Sequence, residues 1–496
     1  MPSPSIFSIS YPNIYHSHSN QIYTCIALLA AIFIWIIFKI IYPYPFITID
    51  SYYYIAAAYQ NASAGSWPIG YSKFIQLVGL ISQAPTLLVT IQFIILYFSF
   101  LVFFLTIRTC FRLPQWSCLI LFIFLFFNPL FIYASNHIMS DILFTGLSML
   151  WFSQLIWIIL NPKPYMLFTQ ALLLLIIFTI RYTALIYPII SVLVFIFNPQ
   201  PRWQKLIGIA LTALFLLAFI QFTRIKMEEI GGVRQFSSAS GWKQASNALY
   251  MYEHIANEDH DIVPQKFQVL HQLTKTYFKN THFHVDLYHI DQDFTTGSYY
   301  VAAYESPLMQ YLRIKKGQNA DVFDFKNIAP FGPYFNDYGN YLILHHPFAF
   351  VEHVVLPDFM AYLFPFAEIY GAPNDLYGLW SNYMGDMAKS WFGITNVTIP
   401  VNFIQIRAAI LKPWPILFTI IHILFILSLF VLFTFNIYKS LSLPLQYCLL
   451  TLVLICILNF FFTILSAASV LRFQFSVVIL EFVITIILSS KLTKTN

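Results

Sequence analysis

Asp50, Asp141 and Glu481 stand apart. Of the 21 acidic residues in this 496-residue chain, every other one lies between Glu228 and Asp386. A carboxylate in or beside very apolar sequence is expensive to keep there, which makes it a functional candidate. Asp50 lies in PFITIDSYYY and Asp141 in NHIMSDILF. Either could take a proton from a hydroxyl as a general base. Lys73 in WPIGYSKF, Arg181 in TIRYTAL, Arg472 in ASVLRFQF and His137 supply cations that could hold a phosphate and stabilise it as a leaving group. Tyr53, Tyr54 and Trp67 are candidate contacts for a sugar or acceptor. Simpler readings compete. Asp50, and Ser140 or Asp141, could be helix N-caps, and the cations could be side chains reaching from helix ends to the interface. A cap and a base are compatible, since capping fixes a side chain. Glu481 differs, lying about ten residues into the last apolar run, where His422 of a neighbouring run could meet it in a buried structural pair.

The elements that must position these residues follow from composition. Hydrophobic residues make up 59% of the chain and charged residues 9%, with mean hydropathy +0.69. Soluble domains carry roughly 25% charged residues. The pattern predicts an all-α polytopic membrane protein of about ten transmembrane helices, at 23–42, 86–107, 115–133, 141–160, 165–180, 183–197, 206–223, 414–437, 445–466 and 471–490. The pair at 165–197 could instead be one kinked helix. Residues 1–22 contain no Lys or Arg and no cleavage site follows, so the first run reads as a retained helix. If the helices alternate, Arg108, Arg112, Lys163, Arg202, Lys205, Lys439, Lys491 and Lys494 share one side, which the positive-inside rule makes cytoplasmic. Asp50, Asp141, Arg181 and Arg472 then share the other. The net charge of +5 is too small to suggest a nucleic-acid partner.

Three regions result: a membrane core over 1–223 with a long first external loop at 43–85, an extracytoplasmic α or α/β insert over 224–413, and a three-helix membrane part over 414–496. Residues 74–81 of the first loop could re-enter the membrane. The insert holds 14 basic and 18 acidic residues and no cysteine. From His345 it turns apolar with isolated polar residues, the texture of an amphipathic segment on a membrane surface. Weak signals inside it are the Asp291–Asp293 DxD, the histidines 282, 284 and 289 beside Asp286, the histidines 345, 346 and 353, and the N-x-S/T matches at Asn61 and Asn396, the first of them in the external loop. The DxD is found in some metal-dependent sugar transferases but is common by chance in an acidic loop, the histidines lack a helical HExxH pattern, and there is no CxxC.

The order of these motifs resembles the GT-C class of multi-pass glycosyltransferases, which use polyprenyl-phosphate-linked sugars; protein O-mannosyltransferases and the aminoarabinose transferase of lipid A belong to it. Asp50 in TIDSYYY resembles the class's early external Asp, the catalytic base. Pro68, Gly70 and Tyr71 resemble its proline/glycine turn, and Asp141 its second acidic residue. Arg181, Thr183, Ala184, Leu185 and Pro188 resemble its basic segment, and Arg472–Phe473 its late Arg–aromatic pair. The likeness covers the first 200 residues best. It departs in placing the large external part before three final helices rather than at the C-terminus. The resemblance implies inverting transfer of a sugar to an extracytoplasmic lipid, glycan or protein acceptor, with the site on the periplasmic face of a bacterial inner membrane. No metal cofactor is required, although a divalent ion is compatible with the chemistry. Two other readings remain. One is an O-antigen ligase or polymerase, which would rely on Arg224, Arg234, Arg313 and histidines of the insert. The other is a transporter, which would place its charges near the midplane and show inverted repeats.

Overall fold

The computed structural model describes residues 17–198, 200–256, 263–280, 297, 299–318, 324–365, 389–393, 401–466 and 469–492. Among them every regular element is helical, and the one β-bridge is an isolated pair between Phe46 and His137. Asp286, Asp291, Asp293, Asn396 and the histidines 282, 284 and 289 lie outside the described residues.

The first half of the chain forms α1 (His18–Ile41), α2 (Ile49–Tyr59), α3 (Gly70–Gly79), α4 (Pro85–Phe111), α5 (Gln115–Phe126), α6 (Pro129–Ser135), α7 (Ser140–Leu160), α8 (Tyr165–Ile180), α9 (Tyr187–Phe197) and α10 (Arg202–Gly231). A second group follows: α11 (Ser238–Ile255), α12 (Gln268–Asn280), α13 (Pro307–Lys316), α14 (Gly332–His345) and α15 (Leu356–Leu363). The chain closes with α16 (Val401–Leu411), α17 (Trp414–Thr434), α18 (Leu443–Ser466) and α19 (Phe475–Leu492).

Among the described residues eight stretches are long and apolar enough to cross a bilayer, in agreement with a multi-pass membrane protein. The remaining two of the ten expected runs, Tyr165–Ile180 and Tyr182–Phe197, are shorter apolar helices. They are two helices rather than one, because Arg181 is extended (φ −147°, ψ 131°) between them. The expected 115–133 span breaks at Asn128–Pro129. The proline cannot continue the helical hydrogen bonds, and the Asn128 side chain accepts from Leu130 N at 2.9 Å to start α6. The expected helix end at 223 moves to Gly231, where Gly232 (φ 72°) takes the left-handed conformation. Arg224, Lys226, Glu228 and Glu229 therefore ride on the end of α10 rather than in a loop.

Two apolar cores are distinct. One joins the apolar helices and includes Trp151, Phe100, Phe104 and Phe126. The other joins α11 to α14 around Leu249, Tyr252, Leu312 and Tyr338. Glycines allow that second packing: a Cβ on Gly241 would lie 2.6 Å from the Gly332 carbonyl carbon. At the end of the bundle away from Asp50, Lys491 donates to Phe111 O at 3.3 Å and Arg108 to Ser19 Oγ at 2.6 Å. Arg108 of α4 and Lys491 of α19 thus lie at one common end, beside the start of α1.

Candidate active site

α2 begins because Thr48 is extended and Ser51 Oγ accepts from Thr48 N at 2.9 Å. The cap is Thr48, so Asp50 is not one. It sits in the first turn with its carboxylate directed elsewhere. The same correction applies to α7: its N-cap is Met139, and Ser140 and Asp141 occupy the first turn. Each carboxylate gains from its helix N-terminus without being spent on capping.

Arg472 joins them. It lies in a 3-10 turn, Leu471–Gln474, at the head of α19. Its Nη1 is 2.5 Å from Asp50 Oδ2 and 3.8 Å from Asp141 Oδ2. The other Asp141 oxygen accepts from Arg181 Nη1. The order Asp50, Arg472, Asp141, Arg181 alternates in sign and sums to zero. The two guanidinium carbons lie 4.9 and 4.6 Å from the centre of the Phe473 ring, whose face attracts cations. Exposure separates the two acids: the Asp50 side chain is 27% accessible and that of Asp141 7%. Asp50 is the carboxylate a substrate can reach; Asp141 is a buried tie between two arginines.

The aromatic residues divide. Tyr54 is buried, with its hydroxyl 2.9 Å from Ser140 Oγ and its ring edge-on to Tyr71 at 4.8 Å. It props the start of α7. Tyr71 donates to Gln92 Oε1 at 3.0 Å, and Gln92 donates to the carbonyls of Ser135 and His137 at 2.7 Å each. Tyr53 and Trp67 pack edge-on at 5.7 Å and stay partly exposed, while the Trp67 indole N–H is buried and has no hydrogen-bond partner among the described residues.

Lys73 does not join the ion pairs. Its ammonium donates to Asn61 Oδ1 at 2.9 Å and Gln76 Oε1 at 3.0 Å. His137 is buried beside Phe46, with Nδ1 3.1 Å from Tyr133 O. A carbonyl can only accept, so Nδ1 carries the hydrogen. Burial, aided by Arg407 and Arg472, pushes the imidazole down to about 3, and His137 enters as a neutral group. Two cations that the sequence reading passed over lie close by. Lys39, in the last turn of α1, donates to Asn136 Oδ1 at 2.9 Å, and Arg407 lies over the Phe46 ring at 4.6 Å.

Behind the site the His422–Glu481 pair forms as expected, with Nδ1 2.6 Å from Glu481 Oε2. It also does more. Gln474 Nε2 donates to Tyr362 O at 3.2 Å, so its Oε1 must accept from His422 Nε2 at 3.0 Å. Nε2 therefore carries a hydrogen, and a single proton lies between Nδ1 and the carboxylate. All three side chains are buried. His422 and the Tyr362 carbonyl hold Gln474, two residues beyond Arg472, from two sides. The residues of the competing readings lie elsewhere: Arg234 is 3.9 Å from Glu228, Arg313 lies over the Tyr304 ring at 3.6 Å, and His353 stacks on His254 at 4.0 Å.

Comparisons with protein-family models, with curated proteins and with solved structures find no match.

Proposed function

We propose that this chain is a membrane glycosyltransferase of the GT-C kind, moving a sugar from a polyprenyl-phosphate carrier to a hydroxyl acceptor outside the cytoplasm with inversion. The observation that supports this reading is the alternating array of Asp50, Arg472, Asp141 and Arg181. Its cations match a lipid phosphate, and its exposed acid matches a proton acceptor. While Arg472 holds Asp50, that carboxylate is a weak base. A donor phosphate that takes over Arg472 frees it. The acceptor oxygen then bonds to the anomeric carbon as the carbon–oxygen bond to phosphate breaks. Asp50 takes the hydroxyl proton, and the departing phosphate keeps the electron pair beside Arg181 and Arg472. Asp141 keeps the two guanidinium groups in place. Tyr53 and Trp67 offer a sugar the apolar faces of their partly exposed rings.

The test is turnover in liposomes with a panel of polyprenyl-phosphate-linked hexoses and pentoses, read as release of polyprenyl phosphate in the presence of membrane extract as acceptor. Turnover of at least one monosaccharide donor is expected. Use of lipid-diphosphate-linked oligosaccharides alone would favour a ligase or polymerase instead.

A further inference from the structure

Residues 347–363 run as one continuous helical path. A turn at Pro347–Phe350 leads into a π-helical segment, Val351–Val355, and then into α15. Four large apolar side chains on it and the Phe364 that caps it face outward: Phe348 (88% exposed), Val351 (48%), Leu356 (52%), Met360 (57%) and Phe364 (57%). The opposite side is occupied. Phe359 and Tyr362 pack on Phe460 of α18 at 5.7 and 5.0 Å, and Val354 is buried.

The π segment sets the register of both faces. The step from Val351 to Leu356 is five residues, the repeat of a π turn, where α-helical neighbours on one face are three or four apart. One residue advances an α-helix by about 100°. Without the wide turn, Leu356, Met360 and Phe364 would rotate away from Phe348 and Val351, and Tyr362 would leave Phe460.

What covers the ridge follows from its neighbour. α18 is a candidate span whose own outward residues include Phe461 (51% exposed) and Leu465 (53%). On a membrane span such residues face acyl chains, and the ridge is packed directly on that helix. The exposed His345 and Glu352 and the half-buried His346 beside it supply polar groups suited to headgroups. We infer that residues 348–364 form an interfacial ridge that seats the second helical group on the same phospholipid bilayer the spans cross, at the acyl–headgroup boundary.

Nitroxide labelling of the full chain in phosphatidylethanolamine–phosphatidylglycerol liposomes tests this. Cys25 is the exposed native thiol among five, and the other four are buried. In a Cys25→Ser background, Phe348→Cys, Leu356→Cys and Met360→Cys are compared with Phe461→Cys as the lipid reference and Lys315→Cys as the water reference. At all three ridge positions, accessibility to oxygen is expected to exceed accessibility to a water-soluble nickel complex, as at Phe461. Values like those at Lys315 at Leu356 or Met360 would overturn the inference. So would shielding of those positions from both reagents, which would mean that protein rather than lipid covers them.

Discussion

At the scale of single residues, Arg472 is the pivot, because one nitrogen serves both carboxylates, at 2.5 and 3.8 Å. Lysine keeps the charge but loses the planar fork. Arg472→Lys is expected to lower transfer about 10²-fold, the usual cost of one transition-state donor. If the interaction belongs to the transition state, kcat and kcat/KM fall together; a rise in KM alone would make Arg472 a binding group only. The His422–Glu481 pair makes a second prediction. Glu481→Gln can still donate to Nδ1 and leave Nε2–H on Gln474, so the folded protein should survive. Glu481→Leu removes the partner of a buried imidazole, a loss of about 3–5 kcal/mol, visible as a large drop in unfolding temperature in detergent. Equal melting of the two variants would contradict the shared-proton arrangement. Asp50, Asp141, Arg181 and Arg472 were legible in the sequence because charges are so rare there. Their pairing was not, since 422 residues separate Asp50 from Arg472. Lys39 was lost because it reads as part of the end of the first apolar run, 23–42. His137 read as a cation because nothing local announces its burial against Phe46.

At the scale of elements, the helices were legible and their ends less so. Asp50 and Asp141 look like caps, but Thr48 with Ser51 starts α2 and Met139 is the N-cap of α7. The choice was made by tertiary contacts, Tyr54 to Ser140 and Arg472 to both acids, which no local pattern encodes. Gly70 is a position where element packing controls the site. A Cβ there would sit 2.6 Å from the carbonyl carbon of Thr179, two residues before Arg181. Gly70→Ala should push α3 off the end of α8 and reduce transfer more than it reduces folded yield; unchanged activity would show the contact to be slack. The contact of α15 with α11 predicts a pH effect. Burial raises the Asp358 carboxyl to about 7 against the opposing influence of Lys243 and the Ser469 N–H. An acid whose folded value exceeds its unfolded value, near 3.9, holds its proton more tightly when folded. Its contribution is complete below about pH 4 and fades as the pH rises to about 7. Asp358→Asn should therefore flatten the wild-type decline in unfolding temperature over that window, and an identical slope in both proteins would contradict the burial.

At the scale of the whole molecule, the alternation of apolar helices brings four distant charges to one end of the bundle and basic residues such as Arg108 and Lys491 to the other. A second helical group with its own core lies against the charged end, where Phe236 packs on Tyr182 at 4.4 Å and the Tyr362 carbonyl holds Gln474. The Arg472 turn is thus backed by α15 of this group, and the Arg181 turn by Phe236 in the segment that leads into it. The sequence made the membrane class plain. It did not show that the group reaches the turns of Arg181 and Arg472, because those contacts come from single residues with no periodic signature. The most direct measurement compares sugar transfer by Asp50→Asn with that by the triple variant Arg224→Ala, Arg234→Ala, Arg313→Ala, each matched to wild type for folded yield in the same liposomes. The expected result is a loss of about 10²–10⁴-fold for Asp50→Asn, the range for a general base, and near wild-type transfer for the triple variant. Substantial transfer by Asp50→Asn together with loss in the triple variant would contradict the assignment of Asp50 and move the chemistry away from this end of the bundle.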